Sequence, residues 1–346
     1  MKKKVAILHA QVPFVTGGAE LMVHALKNNL TERGFEAEII QLPFKWYPEN
    51  SLYDSMLAWR LLDLSESNGQ KIDLVIGTKF PSYGAIHDNK VIWMIQQYRQ
   101  VYDLYDSKYG LINDSNGENI RKKVLHFDNV TVKEAKSIYT ISKNVSNRLK
   151  RYNGIESEPL YQPPPMYGRY KSGNVGDYIC SVGRLDKLKR NDLLIKSLAY
   201  CDKNVKLKIA GKGPEMDNLI ALAKKLRVQD RVDFLGFVPD NDLLDLYANS
   251  RAVYFAPVDE DYGYITLEAF LSEKPVITCK DSGGVLEFVE DGHNGFVTEP
   301  SEELLANAID RIWADKTKCS EMGRCGYEIV KDINWDNVIK KLTCSL

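Results

Sequence analysis

The chain's sequence predicts an α/β protein of two Rossmann-like domains facing an interdomain cleft, and three observations carry that expectation. Short β-rich runs alternate with longer helical patterns from end to end, as they do in parallel α/β sheets. The alternation breaks at a proline- and glycine-rich stretch near the middle and then restarts. At 346 residues, 44% apolar and 27% charged, the chain has the length and the apolar content for two packed cores.

In the first half a strand is expected over Lys4–His9, followed by a turn at Gly17-Gly18. A helix then carries Leu21, Met22, Ala25, Leu26 and Leu30 at helical spacing and stops at Gly34. Further strands are expected at Ala37–Gln41, Leu74–Gly77, Val91–Ile95 and Ile138–Ile141. Pro159, Pro163, Pro164 and Pro165, with Gly168, Gly173 and Gly176 behind them, suit neither a helix interior nor a central strand, so this stretch reads as an interdomain linker. Strands resume at Tyr178–Val182, Val205–Ala210, Val232–Leu235, Val253–Ala256, Pro275–Thr278 and Gly295–Val297. Helical patterns over 302–314, 318–331 and 335–343 close the chain. The domains expected are 1–166, joined by part of a C-terminal helix within 333–346, and 167–332.

Charge and composition narrow the function. Lys and Arg number 46 against 47 Asp and Glu, a net −1 that argues against a protein devoted to nucleic acid. The first half is slightly basic and the second slightly acidic. No apolar run approaches the ~20 residues of a membrane-spanning helix. After Met1-Lys2-Lys3-Lys4 only four apolar residues precede His9, too few for a signal peptide's apolar region. The six cysteines, all in the second half, show no zinc-ligand spacing, so free thiols and a cytoplasmic location are expected.

Three stretches carry candidate chemistry. Glu260-Asp-Tyr-Gly-Tyr-Ile-Thr-Leu-Glu268 follows a β-rich run and leads into an apolar helix. Glu260 is expected on the strand-to-helix loop and Glu268 in the first helical turn, at the sheet edge where open α/β folds bind ligands. An isolated pair of this kind would read as ordinary helix-start acids. In Ser181-Val-Gly-Arg184-Leu-Asp-Lys-Leu-Lys189, Arg184 and Lys189 sit in the turn before a helix, a fork and a point charge suited to a diphosphate. Taken alone, that turn reads equally well as a solvated basic loop. Thr16-Gly17-Gly18-Ala-Glu20 heads the first helix, where Gly17 and Gly18 let backbone approach an anion, or simply make a tight turn.

Together these stretches resemble the retaining glycosyltransferases of family 4, which have the GT-B fold. Ile209-Ala-Gly-Lys-Gly-Pro-Glu215, Phe234-Leu-Gly-Phe-Val-Pro239 and Pro275-Val-Ile-Thr with Ser282-Gly-Gly284 and Glu287 match further landmarks in order and spacing. The resemblance is specific over about Asp177–Val297. Before that it rests on Gly17-Gly18 and on Trp93, Arg99 and Tyr102-Asp103. Asn334-Trp335-Asp336 resembles the family's closing helix, which crosses back to the N-terminal domain.

The resemblance implies a nucleotide diphosphate sugar donor, a glycan, lipid-linked or small-molecule acceptor, no cofactor and no obligatory metal. It also allows a peripheral membrane contact through the N-terminal domain. Arg184, Lys189 and Glu260 are the catalytic candidates: the first two on the leaving diphosphate, Glu260 on the transferred sugar. Glu268 is implied to bind the ribose hydroxyls, the amides of Tyr264 and Ile265 the phosphate, and Val238 the base. Gly17 and Gly18 are implied to close on phosphates and sugar. Where the family usually carries a histidine after the fourth strand of this half, the chain has Gln96-Gln97. Gln96 offers an amide and a carbonyl to a sugar hydroxyl but no general base.

Two alternatives stand beside this reading. One is a non-catalytic GT-B relative that binds a nucleotide sugar or a partner enzyme. The other is a nicotinamide oxidoreductase, disfavoured because no G-x-G-x-x-G follows the first strand. Asp240-Asn-Asp242 and Asp259-Glu-Asp261 match the D-x-D metal pattern, but Asp240 reads as a helix N-cap and the second overlaps the Glu260 loop. Tyr98, Tyr102, Tyr105 and Tyr109 form either an acceptor-sugar platform or a packed face.

Overall fold

β1 (Lys4–Gln11) is a near-continuous apolar run buried between its two ends, as befits a parallel strand covered on both faces. α1 (Gly18–Glu32) follows and buries Met22, Val23, Leu26 and Leu30 along one stripe. Then come β2 (Glu36–Pro43), α2 (Glu49–Leu61), a small hairpin of β3 (Glu66–Ser67) and β4 (Gln70–Lys71), β5 (Leu74–Lys79) and β6 (Lys90–Gln96). The N-terminal part closes with α3 (Gly117–Thr131), β7 (Ser137–Thr140), α4 (Lys143–Asn153) and β8 (Glu158–Pro159). The computed structural model describes residues 2–107, 110–112 and 115–346, so Tyr109 lies outside the described residues.

The six main strands of this part pair in parallel in the order β2-β1-β5-β6-β7-β8. Strand order reverses between β1 and β5, and loops leaving such a point diverge at the carboxyl edge. Pro159 ends the edge strand β8, where its missing N–H costs no ladder bond.

The second part repeats the plan. β9 (Ile179–Val182), α5 (Asn191–Ser197), β10 (Leu207–Ala210), α6 (Met216–Lys225), β11 (Val232–Gly236) and α7 (Asp240–Ala248) form its first half. β12 (Ala252–Tyr254), α8 (Tyr264–Leu271), β13 (Val276–Cys279), β14 (Gly295–Thr298), α9 (Glu302–Ala314) and α10 (Lys316–Val330) form its second. The parallel sheet runs β11-β10-β9-β12-β13-β14, reversing between β9 and β12. Its core gathers Ile179, Leu194, Leu207, Ile209, Tyr254, Ile277 and Ile309, all essentially inaccessible to solvent.

α11 (Trp335–Leu342) ends the chain but belongs to the first unit. The two units are Met1–Pro165 with Asn334–Leu346, and Met166–Ile333. Trp335 meets Trp93 edge-on at 6.1 Å, and Lys341 pairs with Glu158 at 3.0 Å.

The stretch read as a linker is only partly one. Residues 166–177 are tied along the second unit as a strap. Arg169 reaches Asn241 at 2.9 Å and Asp240 at 3.5 Å, and Lys171 pairs with Asp245 at 2.6 Å. The buried Lys274 donates to the carbonyls of Gly173 and Asn174. Gly173 and Gly176 are there for close approach: a Cβ on Gly176 would lie 2.0 Å from the Asn249 carbonyl.

Candidate functional site

The reversal between β9 and β12 sets two loops side by side in the second unit. Residues 183–190 leave β9 and residues 255–263 leave β12. The first holds Arg184 and Lys189, the second Glu260. The structure brings Lys189 and Glu260 into a direct ion pair, both about a quarter exposed. Lys189 also stands 5.4 Å from the centre of the Phe255 ring. Arg184 is exposed at the head of its loop.

Arg190, one position past the expected pair, builds this arrangement. Its guanidinium donates to the carbonyls of Ala256 (2.7 Å) and Pro257 (2.9 Å) and forks onto Asp281 at 2.7 and 2.8 Å. Three loops are thereby held together by one planar side chain. Arg190 follows Lys187 and Lys189 in a basic turn, and nothing local in the sequence distinguishes it from them. Arg190 and Asp259 both adopt left-handed backbone, at φ 52° and 43°. Such residues cost of order 1–3 kcal/mol and persist where surrounding contacts over-determine them, commonly at binding sites.

α8 begins beside this pair. Gly263, its N-cap, has φ 85°, and a Cβ there would lie 3.0 Å from the Phe255 ring and 3.1 Å from Val285. Only glycine meets both requirements without strain. Tyr264 and Ile265 open the helix, whose first turn has no acidic residue. The Ile265 side chain lies 3.3 Å from where a Cβ on Gly183 would sit, so the helix N-terminus adjoins the Arg184 loop. The Ser282-Gly283-Gly284 loop closes the other side, with Gly284 N–H donating to Glu260 O at 2.7 Å.

Glu268 departs from its expected place. It is the fifth residue of α8 rather than a first-turn acid, because the helix already begins at Tyr264, directly after Gly263. It is buried, accepting from Tyr247 Oη at 2.6 Å and from the Tyr170 hydroxyl. Burial pushes its carboxyl up and the two hydroxyls pull it back, leaving it at about 6. Neither tyrosine was singled out from sequence.

Val238 is half-buried in a groove of about 540 Å³ with Tyr178, Lys208, Leu235, Phe237 and Asp242. Phe237, the neighbour of Val238 in the Phe234–Pro239 motif, is 71% exposed in the same groove. Asp240 is the first residue of α7 and Pro239 its N-cap, a correction to the capping role expected of Asp240. Among the described residues no three His, Cys, Asp or Glu side chains group as metal ligands would.

In the first unit, neither Gly17 nor Gly18 has a positive φ. Gly17 is extended, and its N–H already donates to Glu20 Oε2 at 2.8 Å, so this amide is satisfied within the chain. Burial opposes ionisation of Glu20, yet His9, Lys79 and Gly17 hold its carboxyl down at about 2. Gln96 and Gln97 separate: Gln96 is exposed at the end of β6, while Gln97 is buried and donates to Asn153 at 2.8 Å. Gln96 lines a cavity of about 290 Å³ with Phe44, Trp46, Lys79, Phe80 and Tyr98, at the carboxyl ends of β2, β5 and β6. Tyr98 stacks on Phe80 at 5.5 Å. Tyr102 instead is buried and donates to Asp128 at 2.6 Å, and Tyr105 is also buried.

Two doubly wound parallel units of this kind define the GT-B class of α/β proteins, and solved structures agree. The chain matches HepE of Anabaena, solved with UDP and glucose, at a TM-score of 0.73 and 20% identity, covering 99% of this chain and 100% of that one. It matches WaaG, a glycosyltransferase of lipopolysaccharide biosynthesis, at 0.73 and 20%, covering 98% and 99%. Residues 171–329, within the second unit, match the family model of glycosyl transferases group 1.

Among curated relatives, an uncharacterized glycosyltransferase of Methanocaldococcus jannaschii is 31% identical over 47% of this chain and 43% of its own. A GDP-mannose-dependent alpha-(1-6)-phosphatidylinositol monomannoside mannosyltransferase of Mycobacterium tuberculosis is 31% identical over 55% and 53%. The chain thus spans about half the length of these relatives or less.

Proposed function

We propose that this protein is a retaining glycosyltransferase. It moves a sugar from a nucleotide diphosphate sugar to a glycan, lipid-linked or small-molecule acceptor. The observation that carries the reading is the Lys189–Glu260 pair, set beside exposed Arg184 and the start of α8 at the strand-order reversal of the second unit. Two cations and a helix N-terminus suit a diphosphate whose charge grows as the glycosidic C–O bond breaks. Glu260, held at that spot by Lys189, suits hydroxyls of the departing sugar. Glu268, one turn into α8, suits the ribose diol, and Val238 with Phe237 suits the base.

In the retaining reaction the acceptor oxygen attacks the anomeric carbon from the face the diphosphate leaves. Its proton passes to the departing phosphate oxygen, so no side-chain base is required and Gln96 is tolerated. The chain's own cations supply the charge neutralisation, and no obligatory metal enters. The aromatic cavity around Gln96, Phe80 and Tyr98 in the first unit suits a sugar ring or another amphipathic acceptor.

The test is a panel of nucleotide sugars scored for nucleoside diphosphate release, thermal stabilisation and product anomeric configuration, each repeated with chelator. Turnover that survives chelator with a retained anomer is expected. Inversion, or complete loss restored by magnesium or manganese, overturns the mechanism. Stabilisation without release by any donor would favour the non-catalytic relative.

A further inference from the structure

The strap of residues 166–177 carries one side chain into the candidate nucleotide site. Tyr170 lies between Arg169 and Lys171, each fixed to α7 through Asp240, Asn241 and Asp245. Its ring stands 6.4 Å from that of Tyr247, and both hydroxyls reach Glu268. Anchored on both sides, Tyr170 is held over the carboxylate by three pairings that sequence distance alone does not suggest.

We infer that Tyr170 is a positioning residue for nucleotide recognition: its hydroxyl, with that of Tyr247, orients the Glu268 carboxylate for the ribose diol. The inference rests on the ribose role proposed for Glu268. An ionised carboxylate has about four acceptor positions. The two tyrosines take two of them, leaving two for a vicinal diol. A neutral carboxylic acid is a poorer acceptor, so the buried position works only while the charge is retained.

The groups around Glu268 set its titration. Tyr247 faces it from α7 and Tyr170 from the strap. Asp240 and Tyr264 in turn face Tyr170, and Cys180 on β9 faces Tyr247. Burial raises the carboxyl and the two hydroxyls lower it. Removing one hydroxyl therefore moves the titration upward, and ionisation at mildly acidic pH is lost first.

The experiment titrates UDP and GDP by calorimetry into wild type, Tyr170→Phe and Glu268→Gln, from about pH 5.5 to 8.5. Phenylalanine keeps the ring against Tyr247 and removes only the hydroxyl. For the nucleotide that binds, wild-type affinity should fall as pH drops through about 6. In Tyr170→Phe this fall should begin about one pH unit higher, giving roughly fivefold weaker binding near pH 6 and near-normal binding at pH 8.5.

A Tyr170→Phe profile that superimposes on wild type, or one weakened equally at every pH, overturns the inference. Glu268→Gln separates this from the underlying reading, since it should bind weakly at every pH, with the loss against wild type greatest at pH 8.5 where Glu268 is ionised. If Glu268→Gln weakens binding while Tyr170→Phe shifts nothing, the role of Tyr170 alone fails. If Glu268→Gln binds as wild type does, the ribose assignment fails and the inference falls with it.

Discussion

Lys189 and Glu260 lie 71 positions apart in the chain and meet as an ion pair in the fold, which changes what each substitution should do. Arg184→Ala and Lys189→Ala should lower kcat by about 10²–10³ while weakening nucleotide-sugar binding less, as expected on removing a stabiliser of developing charge. Near-normal turnover in both variants would exclude the assignment. Glu260→Gln releases Lys189 from its partner. Free nucleoside diphosphate should then bind no more weakly, and up to about fivefold more tightly, since a partly exposed pair is worth about 1 kcal/mol at most. Transfer should fall, because the contact proposed between Glu260 and the sugar would be lost. Glu268→Gln should instead weaken nucleotide and nucleotide sugar alike by about tenfold or more, the worth of a charged hydrogen bond. Equal weakening of the bare nucleotide by both glutamate variants would remove the distinction between them.

At the scale of elements, the strands were legible because parallel strands buried on both faces read as apolar runs. β1, β5, β6 and the strands of the second unit all fall where those runs lie. α2 gave less to read: it buries only Leu52 and Trp59, so its apolar face is thin and interrupted. The start of α8 is set by Gly263, whose left-handed backbone opens the helix at Tyr264, four residues before Glu268, and so leaves Glu268 in the second turn.

α11 has the strongest element-level consequence. It buries Trp335, Val338, Ile339 and Leu342, and caps itself through Asn334, which accepts from the Asn337 N–H at 2.9 Å. Trp335→Ala should cost about 3–5 kcal/mol as a large buried aromatic. Hydrogen exchange should show lost protection in β6, β7 and α1, with β9, β10 and β12 unchanged. Loss in both units, or in neither, would contradict the placement of α11 in the first.

For the whole molecule, no helix among the described residues is long and apolar enough to cross a membrane. The first unit nonetheless carries a surface groove of about 540 Å³ formed by Tyr53, Met56, Arg60, Lys122, Lys123, His126, Phe127 and Val130. Leu57 and Leu61 project beside it from α2, 55% and 73% exposed. Arg60 is paired with Glu134 and Lys122 with Glu118; Lys122 and Lys123, beside these apolar side chains, are the cations an anionic bilayer surface would meet. Vesicles containing anionic phospholipid should therefore pull the protein down at low salt and release it at high salt. Lys122→Glu and Lys123→Glu should each weaken this by about fivefold or more. Binding that ignores both salt and these charges would count against a membrane role.

Composition and pattern by themselves determined the α/β class, the two-part plan, most strands and the loops that carry Arg184, Lys189 and Glu260. These follow from local rules: apolar runs, helical spacing, glycine and charge at strand ends. Only the tertiary structure decided that Lys189 pairs with Glu260, that Arg190 ties three loops together, and that Tyr170 and Tyr247 hold Glu268. It also drew residues 166–177 onto the second unit and the Gly17 amide onto Glu20. Each of these is a contact between residues distant in sequence or an exact backbone angle. Both are set by packing and by the need to satisfy buried polar groups, which no single stretch of sequence encodes.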